Sequence, residues 1–212
     1  MSLLRILPSF ALAMLLAPGI CVAQTATWYR VEIIVFERPS PSAGAGERWP
    51  GNPGSPGWEN AATLQPAGAG RGKPVPFERL PSKDYQLGPH WWSLSRGRSG
   101  TEPLLHRAWV QPVRGERGAV PVYLSLSDTS PGSEFGQRLE GTVRIRRGRF
   151  LHADLDLVLR RRDGTYRMQE SRRMRSGELH YIDHPVLGVL MKITPVRVGG
   201  PEEGAPSEEP AG

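Results

Sequence analysis

Cysteine is almost missing from this chain of 212 residues: Cys21 is the only one. It falls in an N-terminal stretch that reads as an export signal, so the chain beyond it carries no thiol. That excludes disulfides and thiol nucleophiles there. Long apolar runs are missing too. The run from Ile6 to Ile20 is broken by Pro8, Ser9, Pro18 and Gly19, and it falls short of the ~20 residues that a membrane-spanning helix needs. No Gly-x-Ser-x-Gly elbow and no His-Glu-x-x-His pair is present, which removes the usual sequence signs of a serine hydrolase and of a zinc hydrolase. No internal repeat is found.

The N-terminus has the layout of a secretory signal. Arg5 precedes the apolar run, and Cys21 and Ala23 put small residues at the −3 and −1 positions of a cut before Gln24. A lipoprotein signal places Gly, Ala or Ser directly before its cysteine, whereas Ile20 stands there. The expectation is a signal peptide at 1–23 and an exported, disulfide-free protein, most simply periplasmic.

Charge is unevenly spread. The whole chain carries a formal +6, yet residues 24–200 hold 26 Lys and Arg against 17 Asp and Glu. Glu202, Glu203, Glu208 and Glu209 follow with no base among them. A basic body with an acidic tail suggests nucleic acid, but export argues against that partner. Acidic polymers outside the cytoplasm fit better: peptidoglycan stem-peptide carboxylates, lipopolysaccharide and anionic lipid headgroups.

Strand signals dominate the rest. Residues 27–37 are rich in β-branched and aromatic side chains. Tyr29, Val31, Ile33 and Val35 share one face, and Arg30, Glu32, Ile34 and Phe36 the other, which suits a central strand covered on both sides over part of its length. Residues 39–76 contain eight Pro and eight Gly; such a segment buries too little apolar surface to offset its ordering entropy. It reads as an irregular insertion or linker, with Trp49 and Trp58 either tacking it to the domain or standing exposed. Residues 83–96 suggest a short helix or turn around His90-Trp91-Trp92. Strands are expected at 104–112 and 120–127, with a loop at 128–133. Leu151, Ala153, Leu155, Leu157 and Leu159 alternate with His152, Asp154, Asp156 and Arg160, as a strand with one wet face does. Tight hairpins at 147–149 and at Asp163-Gly164 join it to strands on either side, giving a meander that ends at Arg175. A last strand covers 187–194. The expected fold is mainly β, with α+β as the alternative: an antiparallel meander of about six or seven strands. It occupies a single domain over 24–198, followed by a disordered acidic tail at 199–212.

Candidate chemistry concentrates at 172–185. Arg172, Arg173, Arg175, Glu178, His180, Tyr181, Asp183 and His184 crowd basic, acidic, imidazole and phenolic groups into one short stretch. His180 and His184 have the helical spacing of two metal ligands, but Pro185 biases His184 away from helical angles. Glu178 and Asp183 are a conceivable carboxylate pair, whose separation the sequence does not give. Residues 137–175 hold twelve Arg against five acids. Arginine forks pair bidentately with carboxylates and phosphates, so this region reads as a surface for an anionic polymer or an acidic partner. Its competing reading is a solvated sheet face. Trp109 and the histidines His106 and His152 read singly as core or locally satisfied residues.

Four stretches carry a family resemblance: Trp28–Glu37, Leu105–Pro112, Gly148–His152 and Arg172–Pro185. Together they resemble the CsiV-type family of periplasmic peptidoglycan-binding proteins of Gram-negative bacteria. The resemblance implies a non-enzymatic protein linked to cell-wall assembly, with peptidoglycan as its partner. It supplies no established binding residues. The residues expected at the surface are therefore Arg172, Arg173, Arg175, Glu178, His180, Tyr181, Asp183 and His184, with no catalytic residue, metal or cofactor. The alternatives are a wall-modifying or metal-dependent hydrolase centred on Glu178, His180, Asp183 and His184, a scaffold for a periplasmic cell-wall synthesis protein, and a buried polar network at the same residues. Neither nucleic acid nor a stable membrane span is expected.

Overall fold

Alternation of apolar and polar side chains sets the strands, and the computed structural model pairs them into two sheets. It describes residues 26–39, 52–71, 73–97, 100–126 and 138–197. The expected signal peptide, the acidic tail, Trp49 and the loop at 128–133 lie outside those residues. The strands among the described residues are β1 (Thr27–Glu37), β2 (Glu78–Arg79), β3 (Glu102–Val113), β4 (Pro121–Ser125), β5 (Leu139–Arg147), β6 (Leu151–Arg161), β7 (Gly164–Met174), β8 (Leu179–Asp183) and β9 (Leu187–Pro195), with one α-helix, α1 (Gly88–Arg96), and short 3-10 turns at Ser82–Asp84 and Glu116–Gly118. The first sheet runs β2-β3-β1-β9-β8 and the second β4-β5-β6-β7, with every ladder between named strands antiparallel.

The mainly β antiparallel reading holds, but one meander becomes two sheets. Only β4–β7 is a meander. Beyond the expected strands lie β2, too short to leave a pattern, and β8, hidden inside the ionisable block. The inward faces of both sheets form a single buried cluster. Tyr29, Val31, Ile33 and Val35 meet Trp109, Met191 and Ile193 from their own sheet, and Val143, Ile145, Leu155 and Leu157 from the other. Each such aliphatic side chain contributes roughly 1.5–3 kcal/mol relative to exposure. Trp109 is fully buried, and its indole N–H donates to Gln111 Oε1 at 2.6 Å.

The opposite face of β1 is covered as its pattern implied. Ile34 and Phe36 are buried with Leu87, and Trp91, Leu94 and Leu190 pack against them. Leu87, Trp91 and Leu94 recur at helical spacing, so α1 lays its apolar stripe on this sheet. Pro89 falls in the first turn of α1, where its missing N–H costs nothing; it opens the helix instead of breaking it.

At the β6–β7 hairpin, Arg161 pairs with Gly164, which leaves Arg162 and Asp163 as the loop. Asp163 does not take a positive φ, so this hairpin is not the turn with two positive-φ residues that an Asp-Gly pair favours. The register is fixed by the inward pairs Leu157–Met168 and Leu159–Tyr166, because a one-residue slip would turn those side chains outward. The described part of the 39–76 segment forms only isolated bridges, Ala62 with Val122 and Gln65 with Glu78. It straps the outer face of the second sheet: Pro53 O accepts from Arg167 Nη1 at 2.8 Å, and Trp58 meets the Tyr123 ring edge-on.

Candidate functional site

The arginines divide by whether an acid meets them. On the outer face of the second sheet, Asp154 accepts from Arg146 Nε at 2.9 Å, Arg144 Nε at 3.1 Å and the Ser171 hydroxyl at 2.7 Å. Burial works against ionising Asp154, but the bonds from Arg146, Ser171 and Arg144 outweigh it and hold the carboxyl below its ordinary pKa. Arg167 grips Asp156 with Nε and Nη2 at 2.7 and 2.8 Å. Arg160 meets Glu140 at 2.6 Å, and Glu140 accepts from the Tyr123 hydroxyl at 2.9 Å. Burial, and then the hydrogen bond to Glu140, pushes that phenol up to about 12. An alkaline titration followed by tyrosine absorbance is expected to show one late phenol near this value, and Glu140→Gln should bring it down.

At one end of the sandwich pairing is extensive, although Arg162 in the β6–β7 loop is exposed without an acidic partner among the described residues. Arg138 meets Glu37 and Glu102, Arg161 meets Glu37 and Asp163, and Arg38 reaches Asp183 at 2.5 Å.

The other end differs. The register puts the start of β1 beside the end of β3, joins Arg114 to Arg146 by a bridge, and pairs Leu151 with both Arg147 and Met174. Three connections therefore converge there: 114–120 after β3, 148–150 after β5 and 175–178 after β7. Gly177 holds φ 82° in the last, a left-handed conformation that lets the chain leave the second sheet for β8. Arg114, Arg117, Arg149, Arg172 and Arg173 all sit exposed at this end without an acidic partner among the described residues. Arg147 donates to the Tyr29 hydroxyl at 2.9 Å, and Arg175 stands 3.7 Å from Glu178. Arg149 and Arg173 lie over the Phe150 ring, 5.3 and 3.5 Å from its centroid, so one aromatic steadies two guanidinium groups. A groove of about 510 Å³ crosses the second sheet under the strap at Glu59 and Asn60. A second, of about 680 Å³, opens at the basic end between Thr27, Arg114 and Arg147.

The eight residues expected from sequence do not form one surface. Arg173 points outward opposite His152; Arg172 lies opposite Ala153 on the inward face, yet is exposed because β7 is an edge strand. Inward-pointing Glu170 and Arg172 protect that edge from pairing with another chain. His180 accepts the Arg175 backbone N–H at Nε2, 2.9 Å away, and shares a face with buried Ile182. Tyr181 and Asp183 occupy the opposite face of β8, where the Tyr181 hydroxyl donates to Asp183 Oδ1 and its ring stacks on Phe36. Asp183 and His184 end up at the paired end with Arg38. Arg175 is thus brought together with Glu178 and His180, Arg173 joins Arg149 over Phe150, Arg172 turns to the other face of β7, and Tyr181, Asp183 and His184 are set apart from them. Among the described residues no three His, Cys, Asp or Glu converge as a metal site would require.

Sequence reasoning missed two features. Arg114 and Arg117 lie outside both the 137–175 and the 172–185 stretches, and only strand register adds them to the basic half of the block. The second is a buried pair. Glu32, 1 % exposed, accepts from His106 Nε2 at 2.8 Å and from the backbone N–H groups of Leu87 at 2.7 Å and Gln86 at 2.8 Å. The acid at 32 in an otherwise closing apolar face was its one visible sign.

The four stretches of the resemblance meet in pairs: Trp28–Glu37 with Leu105–Pro112 through β1–β3 and Glu32–His106, and Gly148–His152 with the start of 172–185 through Phe150–Arg173. A family model described as "Peptidoglycan-binding protein, CsiV" matches residues 9–196. Neither the curated proteins nor the solved structures compared with the chain contain a match.

Proposed function

The chain belongs to the CsiV family of peptidoglycan-binding proteins, and from that membership we propose that it is a non-enzymatic periplasmic protein that binds peptidoglycan through its basic end and supports cell-wall assembly. The observation that carries this reading is the contrast in pairing. Most arginines elsewhere on the second sheet, Arg162 excepted, have carboxylate partners inside the fold, whereas Arg114, Arg117, Arg149, Arg172 and Arg173 have none among the described residues. Guanidinium forks suit the stem-peptide carboxylates of the wall. Phe150, 37 % exposed, holds Arg149 and Arg173 at this surface. Of the residues expected from sequence, Arg172, Arg173, Arg175, Glu178 and His180 belong to this surface.

Co-sedimentation with purified sacculi tests the reading. The protein is expected to pellet at low salt and less at high salt, since exposed charges are screened within ~3 Å at 1 M. Replacing Arg149, Arg172 and Arg173 together by alanine should abolish pelleting while lowering the melting temperature only by what the two Phe150 contacts supply, because none of the three has an acidic partner to strand among the described residues. Unaltered pelleting of that variant would move the surface elsewhere. Failure of the unmodified protein to pellet at low salt would overturn direct wall binding in favour of a cell-wall synthesis protein as partner. Release of soluble muropeptides from the same sacculi would overturn the non-enzymatic reading.

A further inference from the structure

Two cations on the outer face of the first sheet are not absorbed by the basic end. Arg30 stands opposite Val110 and Thr194, and Lys192 lies diagonally from it, opposite Glu32. Trp28 precedes Arg30 on this face, and Leu179, 40 % exposed, follows Lys192 across β8. Helix α1 packs farther along the face, over Ile34, Phe36 and Leu190.

Arg30 is poorly satisfied. Its side chain is 17 % exposed, and Nε and Nη2 are buried without an acceptor. The nearest carboxylate oxygen, Glu32 Oε2, is 4.0 Å away. Glu32 is already committed to His106, Leu87 and Gln86. Lys192 has no hydrogen bond or ion pair among the described residues. Buried donors without acceptors are rare because each is costly. A guanidinium in that state, held only by a 4.0 Å ion pair with Glu32 and lying beside Lys192 and a half-buried indole, has the chemistry of an anion receptor.

We propose that Arg30 and Lys192 receive a carboxylate, with Trp28 and Leu179 bounding its apolar neighbour. The inference rests on the peptidoglycan reading for its source: the carboxylate is that of a stem peptide.

The test is calorimetric titration of the purified protein with a disaccharide-tetrapeptide muropeptide, with the peptide-free disaccharide, and with inorganic phosphate as competitor. Binding is expected for the muropeptide alone. Arg30→Met and Lys192→Met should each weaken it roughly ten-fold, the loss of one charge-assisted contact. Without ligand, Arg30→Met should raise the melting temperature by ~2–4 °C, because it removes buried donors that have no acceptor. A lowered melting temperature with unchanged affinity would overturn the proposal and make Arg30 a structural partner of Glu32. Competition by phosphate would overturn the carboxylate assignment. If the unmodified protein pellets with sacculi and Arg30→Met keeps full muropeptide affinity, this receptor alone is wrong. If the unmodified protein binds neither sacculi nor muropeptide, the peptidoglycan reading itself fails.

Discussion

Replacing Glu32 by alanine is expected to cost about 3–5 kcal/mol of stability, since several buried donors lose their acceptor at about 1–3 kcal/mol each. Its carboxylate holds three donors at once: the His106 ring and the two backbone N–H groups that lead into α1. Alanine leaves all three without an acceptor, beneath a helix whose apolar stripe depends on lying flat. His106 is further clamped between Tyr85 and Trp91, with ring centroids 4.5 and 5.6 Å away, so it cannot swing out to find water. The acid dependence has a definite sign. Burial resists ionisation of Glu32, but the bonds from His106, Leu87 and Gln86 outweigh it, and the folded carboxyl titrates below its ordinary value. The stability it supplies is therefore full above the unfolded-state pKa and is lost as pH falls through the folded one. Urea denaturation at neutral pH and near pH 3 measures both effects. Glu32→Gln should be less stable at neutral pH and lose less on acidification. A neutral-pH loss below ~1 kcal/mol in Glu32→Ala would mean that Ile34, Phe36 and Leu87 dock the helix unaided.

Gly141→Ala is expected to cost about 3 kcal/mol, the upper end of overpacking penalties. A Cβ at this inward-facing position of β5 would lie 2.7 Å from Leu157 Cα and nearer still to the Asp156 carbonyl oxygen. Both are backbone atoms of the paired strand β6, so relief means shifting the ladder that also carries Asp154 and Asp156. Gly188→Ala is the informative contrast. There the obstacle is the Phe36 ring, a side chain, so Phe36→Leu should restore much of the loss. Leu157→Val should not rescue Gly141→Ala. Equal rescue at both sites, read by denaturant midpoints, would refute the backbone explanation.

Much of the fold was legible because strand alternation is local. The two faces of β1 could be assigned residue by residue, including the change from polar Arg30 and Glu32 to apolar Ile34 and Phe36. The β5–β6–β7 meander followed from the leucine row at 151–159. What could not be read was pairing between distant segments. Nothing near β9 says that it lies against β1, and β8 was obscured by charged neighbours that looked like a loop. The candidate site divided in the same way. The unusual density of ionisable groups at 172–185 was visible, but one face of a strand and one end of a sandwich cannot be told apart from spacing alone. Tyr181, Asp183 and His184 parted from the arginines because β8 turns alternate side chains to opposite faces and ends near Arg38.

The sequence by itself determined that this chain is built mainly of antiparallel strands, that its body is basic, and which side chains of β1 and β6 share a face. A period of two and a count of charges are properties of neighbouring residues. Tertiary structure alone decided which arginines are neutralised within the fold and which face solvent. It joined Arg114 and Arg149 to Arg172 and Arg173, and set Glu32 against His106. Ion pairing acts over a few ångströms in space, and strand register brings those ångströms together from residues far apart in the chain.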